Sequence, residues 1–381
     1  VLDEVLLVSM RAPATYTRED VVEVHCHGGV AAQRAVLRLF CRLGARPAEP
    51  GEFTRRAFLH GKLSLDQAEA VADLIAAEGE QVARGALNQL RGGLARELAA
   101  VEAPLLDLLA RLEGSFEFLD EEGMGPAPAA VAAELATAVL GIDRLLAMAP
   151  AGRLLRDGVE VVLSGPVNAG KSALFNALLG QERAIVDDEA GTTRDVVSAR
   201  VVRGGTVYVL HDTAGLRDDP GRVESKGIAR TRRQVAEADI VLAVDDGAAA
   251  APPPGRAAVI AVRSKCDLGG PTAEGTLATS AVTGEGVEAL WAAIDAAVGR
   301  LRLGDAVALG VVLNERHAAR LSECRGDLAD LAALAGQDPP AGDEVLGSML
   351  ASILARLGEV SGRVFSEQLL NTVFKKFCVG K

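Results

Sequence analysis

Aromatic residues are scarce: nine Phe, two Tyr and one Trp make up 3% of the 381 residues. A surface of stacked rings, the usual platform for single-stranded nucleic acid, is therefore not the main design. Cationic excess is missing too. Forty Lys and Arg face 52 Asp and Glu, a formal net charge of −12. That is the wrong sign for a chain that coats nucleic acid with its whole surface, and it leaves only local basic patches open. The five cysteines, Cys26, Cys41, Cys266, Cys324 and Cys378, are scattered and form no CxxC pair. This excludes a disulfide frame or a cysteine zinc site and points to reduced cytoplasmic thiols. No run reaches 18 uninterrupted apolar residues, about the least a membrane-spanning helix requires. A soluble cytoplasmic protein is expected, with no membrane partner.

What is present is a hydrophobic fraction of 49% against 24% charged residues, enough for packed cores in two or three domains of about 100–200 residues each. Val1–Val8 reads as a strand already under way, so part of the first domain is expected upstream. Residues 1–62 mix β-branched runs (Val5–Val8, Val21–His25) with a helical stretch, Ala31–Leu43, and predict a small, partial α+β domain. Over 63–155, Ala, Leu, Glu and Arg recur at helical spacing and predict two or three long amphipathic helices. Residues 156–300 alternate helices with the strand candidates Val159–Leu163, Thr206–Leu210, Ile240–Val244 and Ala258–Val262, which predicts a parallel sheet covered on both faces. Helical texture returns over 301–381. The expected fold class is multidomain, α/β and all-α: an α/β domain inserted into a helical domain and preceded by a small α+β domain. There is no internal repeat, and the proline-rich Ala249–Gly255 reads as a surface loop.

The strongest chemical signal is Gly165-Pro166-Val167-Asn168-Ala169-Gly170-Lys171-Ser172, a GxxxxGKS run between a predicted strand and a predicted helix. Glycines let the backbone wrap a phosphate, and the amides of Asn168, Ala169 and Gly170 together with the helix start at Ala173 meet its charge. Lys171 reaches the outer phosphates and Ser172 holds Mg²⁺. About forty residues on, a strand ends in Asp212-Thr213-Ala214-Gly215. An acidic residue there holds Mg²⁺ through water, and the glycine amide senses a γ-phosphate. Gly191-Thr192-Thr193-Arg194-Asp195 lies between, and its threonine completes the metal shell. Each short motif is weak alone; in this order they indicate a nucleotide switch. Ser264-Lys265-Cys266-Asp267 follows a strand and matches the guanine-reading NKxD pattern with Ser in place of Asn. Asp267 accepts both N–H groups of guanine's edge, which adenine cannot offer. Ser264 is too short for every contact an Asn makes. Ser280 and Ala281 fit the loop that closes over the base. The position after Gly215, where many small GTPases carry a water-orienting Gln, is Leu216, so another group must do that work.

The order GPVNAGKS, AGTTRD, DTAGLR and SKCD inside a helical domain resembles the MnmE (TrmE) family of tRNA-modifying GTPases. The ends agree: Tyr16–Gly29 is similar to the family's SYTGEDVVExxCHGG stretch, Pro50–Phe58 and Asp66–Ile75 are family-like, and the chain closes on Cys378-Val379-Gly380-Lys381. Three departures stand out: Arg18 where the family has Gly, Ser264 for Asn, and the missing opening strands of the first domain. The resemblance implies a GTP/GDP-binding, Mg²⁺- and K⁺-dependent homodimer. It implies a heterotetramer with an FAD-dependent MnmG-like protein that places an aminomethyl or carboxymethylaminomethyl group at C5 of the wobble uridine of certain tRNAs. It also implies a tetrahydrofolate derivative in the N-terminal domain. By motif, Asn168 matches the K⁺ ligand, Thr193 the Mg²⁺-side switch threonine and Glu224 the water-positioning glutamate. Cys378 reads on its own either as a nucleophile or acid/base, or as a small hydrophobe after Phe377; the resemblance favours the catalytic role. His25 and His27 have no third ligand at metal spacing and are expected to serve packing or the folate pocket. The pairs Arg55-Arg56 and Lys375-Lys376 are the candidate tRNA patches. Two other readings stay open: an Era-like ribosome-assembly GTPase, and a non-hydrolysing folate-binding or scaffold protein whose α/β domain has decayed at Ser264.

Overall fold

The computed structural model describes residues 2–117, 126–180, 183–185, 197–213, 233–245, 257–300, 311–338, 340–375 and 377. The chain divides into two compact units, one comprising Val1–Ala76, Ala86–Leu146 and Glu315–Lys381, the other Ala77–Gly85 and Ala147–Asn314.

The first unit opens with an antiparallel pair, β1 (Leu6–Met10) and β2 (Val21–His25), in the register Leu6↔His25 to Met10↔Val21, followed by α1 (Val30–Arg42). The connecting loop is stapled to the end of α2 (Glu52–Leu59): Lys62 Nζ donates to Thr15 O at 2.9 Å and the His60 ring meets Thr17 O at 2.7 Å. Arg18 has φ +60° and donates to His60 O at 3.0 Å. This left-handed backbone explains why Gly suits the position and why Arg there needs an anchor.

Helices α3 (Leu65–Ala76) and α4 (Glu80–Leu90) lead to α5 (Gly93–Glu117) and α6 (Pro128–Leu146); after the second unit come α10 (Glu315–Ala335) and α11 (Asp343–Ser361). The apolar spacing dictates their assembly. Leu94, Leu98, Val101, Leu105, Leu108 and Leu112 on α5 are buried at steps of four and three, as are Val131, Leu135, Ala138, Ile142 and Leu145 on α6. Leu321, Cys324, Leu328, Leu331 and Ala335 on α10 continue the pattern, with Leu346, Leu350, Ile353, Leu357 and Val360 on α11. Each helix thus carries one narrow stripe, and the four pack in a closed ring, α5–α6–α10–α11–α5, as a four-helix bundle. Burial pushes the Cys324 thiol up to about 11, which fits a core side chain rather than a reactive one. The C-terminal α12 (Glu367–Phe374) brings Leu370, Val373 and Phe374, with Phe377, into a cluster with Phe58, Leu65 and Ala68. Residues from α2 and α3 thus share one core with α12.

A buried clamp joins α3 to α10. Arg316 grips Glu69 through both carboxylate oxygens (3.1 and 2.9 Å) and donates to Glu359 O and Val360 O, while His317 Nε2 lies 2.7 Å from Glu69. Burial alone raises the Glu69 carboxyl, but His317 and Arg316 outweigh it and hold the group well below the usual carboxylate range. A carboxyl lowered by folding contributes stability that is complete above its unfolded value near 4.5 and is lost as pH falls. Glu69→Gln is therefore expected to lose about 3 kcal/mol at neutral pH and to flatten the acid decline in urea-unfolding midpoints. An unchanged midpoint at pH 7 contradicts the clamp.

The second unit holds α7 (Ala149–Asp157) and a seven-stranded sheet in the order β4-β5-β6-β3-β7-β8-β9. Its strands are β3 (Val159–Ser164), β4 (Arg183–Ile185), β5 (Val197–Arg203), β6 (Thr206–Asp212), β7 (Ile240–Asp245), β8 (Ala258–Arg263) and β9 (Leu277–Ala278). The four expected strands are present, each one or two residues longer. The expected parallel sheet is instead mixed: β3, β6, β7, β8 and β9 pair parallel, while β4 and β5 are antiparallel additions. The reason is the two-residue Gly204-Gly205 turn with both φ positive (54° and 81°), which can only return the chain beside itself. Helices α8 (Lys171–Gly180) and α9 (Val287–Gly299) cover the sheet. Trp291 of α9 is fully buried beneath the Arg203 guanidinium, 5.3 Å from its ring centre, and Asp295 accepts from Tyr208 Oη at 2.5 Å. Central β3 has β6 on one side and β7 on the other, so its C-terminal end is the switch point where α/β sheets bind ligands. Among the described residues no helix is long and apolar enough to cross a membrane.

Candidate functional site

The loop from β3 to α8 is built at that switch point. Gly165 has φ +156°, and a Cβ there would lie 1.9 Å from Val244 O of β7, so the loop can seat against the sheet only with glycine. Asn168 (φ 65°) and Gly170 (φ 82°) supply the left-handed turns that curl the backbone into a phosphate cradle. Lys171 is buried, and its Nζ donates to Pro166 O at 2.7 Å and Gly165 O at 3.1 Å. The ammonium is thus held across the mouth of the loop, where phosphate oxygens would compete with neutral carbonyls for a full charge. Ser172 and Ala173 follow, both exposed at the helix start.

Asp212 ends β6 in register with Leu163, buried beside the loop, and Thr213 Oγ1 donates to Leu163 O at 2.7 Å. Two elements of the metal shell expected from sequence, Ser172 and Asp212, therefore leave neighbouring elements at the same sheet end. Among the described residues no three His, Cys, Asp or Glu form a metal cluster. Mg²⁺ takes few protein ligands and completes its shell with phosphate and water oxygens, and an all-oxygen pair of this kind fits it. Thr192, Thr193, Ala214, Gly215, Glu224 and Cys378 lie outside the described residues, as does Leu216.

The loop expected to read the base is tied to the loop expected to hold phosphate. Ser264, buried at the close of β8, donates its hydroxyl proton toward Ala169 O at 2.5 Å, with Asp245 O at 3.2 Å. Lys265 (φ 54°) reaches Asn168 O with Nζ at 2.5 Å. Asp267 projects from the next turn and is exposed. Ser280, fully buried, accepts from the amides of Val282 and Thr283 (3.3 and 3.2 Å) and so shapes the turn that carries Ala281. Cys266 N donates to Thr279 O, which ties the two loops together. Burial, then the Glu285 and Asp267 carboxylates, push the Cys266 thiol up.

One contributor was not legible in the motif. Arg263 is buried, and its guanidinium donates to Gly269 O, Gly270 O and Thr272 Oγ1, propping the loop that follows Asp267. Only a cation at a strand end next to the motif could have flagged it. For His25 and His27 the packing alternative is not met. His25 and His27 are exposed rather than packed, and His27 Nδ1 lies 2.8 Å from Asp3. Cys378 follows Phe377, which packs on Gly51, where a Cβ would stand 3.0 Å from Phe377 Cβ and Cγ.

The sequence matches two family models end to end: "GTP-binding protein TrmE N-terminus" over residues 1–62 and "MnmE helical domain" over 65–378. Curated relatives named "tRNA modification GTPase MnmE" align over the whole chain and 86% of their own length. They include proteins of Myxococcus xanthus (43% identical), Methylorubrum populi (44%) and Moorella thermoacetica (40%).

Proposed function

The chain belongs to the MnmE (TrmE) family of tRNA-modification GTPases, and from that premise we propose that it couples a K⁺-dependent GTP cycle to chemistry at C5 of the wobble uridine. In this reading it works in the cytoplasm as a homodimer with an FAD-dependent MnmG-like partner, and the product carries an aminomethyl or carboxymethylaminomethyl group. The observation that carries the proposal is the wiring of guanine loop to phosphate loop, Lys265 to Asn168 and Ser264 to Ala169, inside a chain whose two ends match the family.

Within the site, the amides of Asn168, Ala169 and Gly170 and the Lys171 ammonium bind the β- and γ-phosphates, Ser172 and Asp212 hold Mg²⁺, and Thr193 closes the shell. Thr192, Thr213, Ala214 and Gly215 border the γ-phosphate. Asn168 would supply an oxygen ligand to K⁺, whose charge would offset the negative charge that develops on the phosphates, as an arginine finger does elsewhere. Glu224 orients the attacking water, the role that Leu216 cannot fill. Asp267 and Lys265 hold guanine, with Ser280 and Ala281 closing over it. Loss of the γ-phosphate frees Thr193 and Gly215, and that change of order is the signal passed to the modification centre. That centre comprises Cys378 and a tetrahydrofolate derivative held by the 1–62 domain, with 63–155 and 301–381 as the helical frame and 156–300 as the inserted GTPase. For tRNA the candidate surface is the cavity of about 380 Å³ at the α2–α12 contact, where Arg46, Arg55, Arg56 and Lys375 stand with Glu49 and Glu52; Glu52 pairs with Arg46 and Arg56, so the cationic excess there is small.

Hydrolysis of GTP in KCl and in NaCl at equal ionic strength, with ATP as control, tests the cycle. At least a tenfold K⁺ stimulation with no ATP turnover is expected if K⁺ replaces an arginine finger, which elsewhere contributes about 10³–10⁵-fold. Cation-independent turnover contradicts it.

A further inference from the structure

The hydroxyl of Ser264 is committed to the main chain on both sides. A serine hydroxyl carries one proton. Here Oγ faces two main-chain carbonyls, Ala169 O of the phosphate loop at 2.5 Å and Asp245 O of β7 at 3.2 Å, and neither can donate to it. Ser264 is 5% exposed and rests against Gly170, whose Cβ, were there one, would stand 3.3 Å from Oγ. Its amide is also engaged, donating to Asp245 O at 2.8 Å. The single proton is therefore fixed inside the protein, and no donor from this residue is left for an acceptor on the base. An amide side chain at the same place carries two protons and could satisfy the carbonyl and the base together.

We propose that this chain reads guanine through its Watson–Crick edge alone, with Ser264 confined to tying the base loop to the phosphate loop, so that purine nucleotides altered at N7 are accepted as well as GDP and GTP. The proposal rests on the guanine-nucleotide reading of Asp267 given above. The acidic side chain recognises N1–H and the 2-amino group, and these groups are unchanged when N7 is replaced by carbon. N7 itself is a pure acceptor, and in this reading the side chain that would face it, Ser264, has already given its one proton to the main chain. Lys265 directs its ammonium to Asn168 O, with Nζ at 2.5 Å, which places that charge on the phosphate loop.

The test is equilibrium binding of GDP, 7-deaza-GDP and ADP to the full chain and to Ser264→Asn, read by displacement of a fluorescent guanine nucleotide. The full chain is expected to bind GDP and 7-deaza-GDP within about twofold of each other and to reject ADP. Ser264→Asn is expected to bind GDP more tightly and to prefer it over 7-deaza-GDP by about fivefold, one neutral hydrogen bond's worth. GDP bound by the full chain more than about fivefold tighter than 7-deaza-GDP overturns the proposal and leaves the guanine reading in place. ADP bound as well as GDP overturns the guanine reading and the proposal with it. The comparison of the two guanine nucleotides needs no variant, so a poorly folding Ser264→Asn does not remove the test.

Discussion

Lys171→Ala is expected to lower GTP turnover by about 10²–10³-fold, the usual loss when one charge-stabilising donor leaves a transition state. The lysine opens α8, where Ala is a favourable substitute, so the helix survives the change. What disappears is the ammonium held over the loop by Gly165 O and Pro166 O. Those carbonyls do not lose a structural partner they need, because a main-chain oxygen at the loop surface can turn to water. The loss thus falls on phosphate binding and hydrolysis rather than on stability. Single-turnover hydrolysis with the far-ultraviolet circular dichroism spectrum as control measures it, and a rate within threefold of the unaltered chain contradicts the placement of Lys171.

Asp267→Asn is expected to weaken GTP binding by about 10²-fold or more, since a site built to accept two N–H groups is left with a clashing donor. The same substitution creates a partner for xanthine, whose 2-oxo group accepts where guanine's 2-amino group donates. XTP should therefore bind the variant and not the original chain. Arg263 keeps the loop in place in both, through Gly269 O and Gly270 O, so the change is confined to the base edge. Competition between GTP and XTP against a fluorescent nucleotide reads the exchange. A variant that retains GTP and ignores XTP shows that Asp267 does not face the base.

Much of this was legible in the chain. The phosphate loop is readable because its chemistry is backbone chemistry: Gly165 and Gly170 occupy conformations that other residues adopt only under strain, and their spacing from Lys171 is fixed by the turn. The bundle was readable in kind and not in count. Leu94 to Leu112 keeps a four–three rhythm, but the Ala77–Gly79 break between α3 and α4 is too short to disturb a periodicity averaged over many residues. β5 was missed because its apolar residues, Val197, Ala199, Val201 and Val202, are interrupted by Ser198, Arg200 and Arg203, and its strand form comes from the Gly204-Gly205 turn and its pairing with β6. β9 is two residues long and exists only by its pairing with β8. At the site, Ser264 looked like a deficit when weighed as a shortened Asn; its tertiary partners Ala169 and Asp245, 95 and 19 residues away, turn it into a structural tie. Such contacts leave no local pattern, and neither does the Arg263 prop.

The measurement that bears most directly on the proposed coupling is the level of modified wobble uridine in cells that lack their own family member and carry either this chain or Lys171→Ala. If the GTP cycle drives the chemistry, the chain restores the modification and the variant, at equal abundance, does not. Equal modification by the two would show that nucleotide turnover and uridine chemistry are uncoupled in this protein.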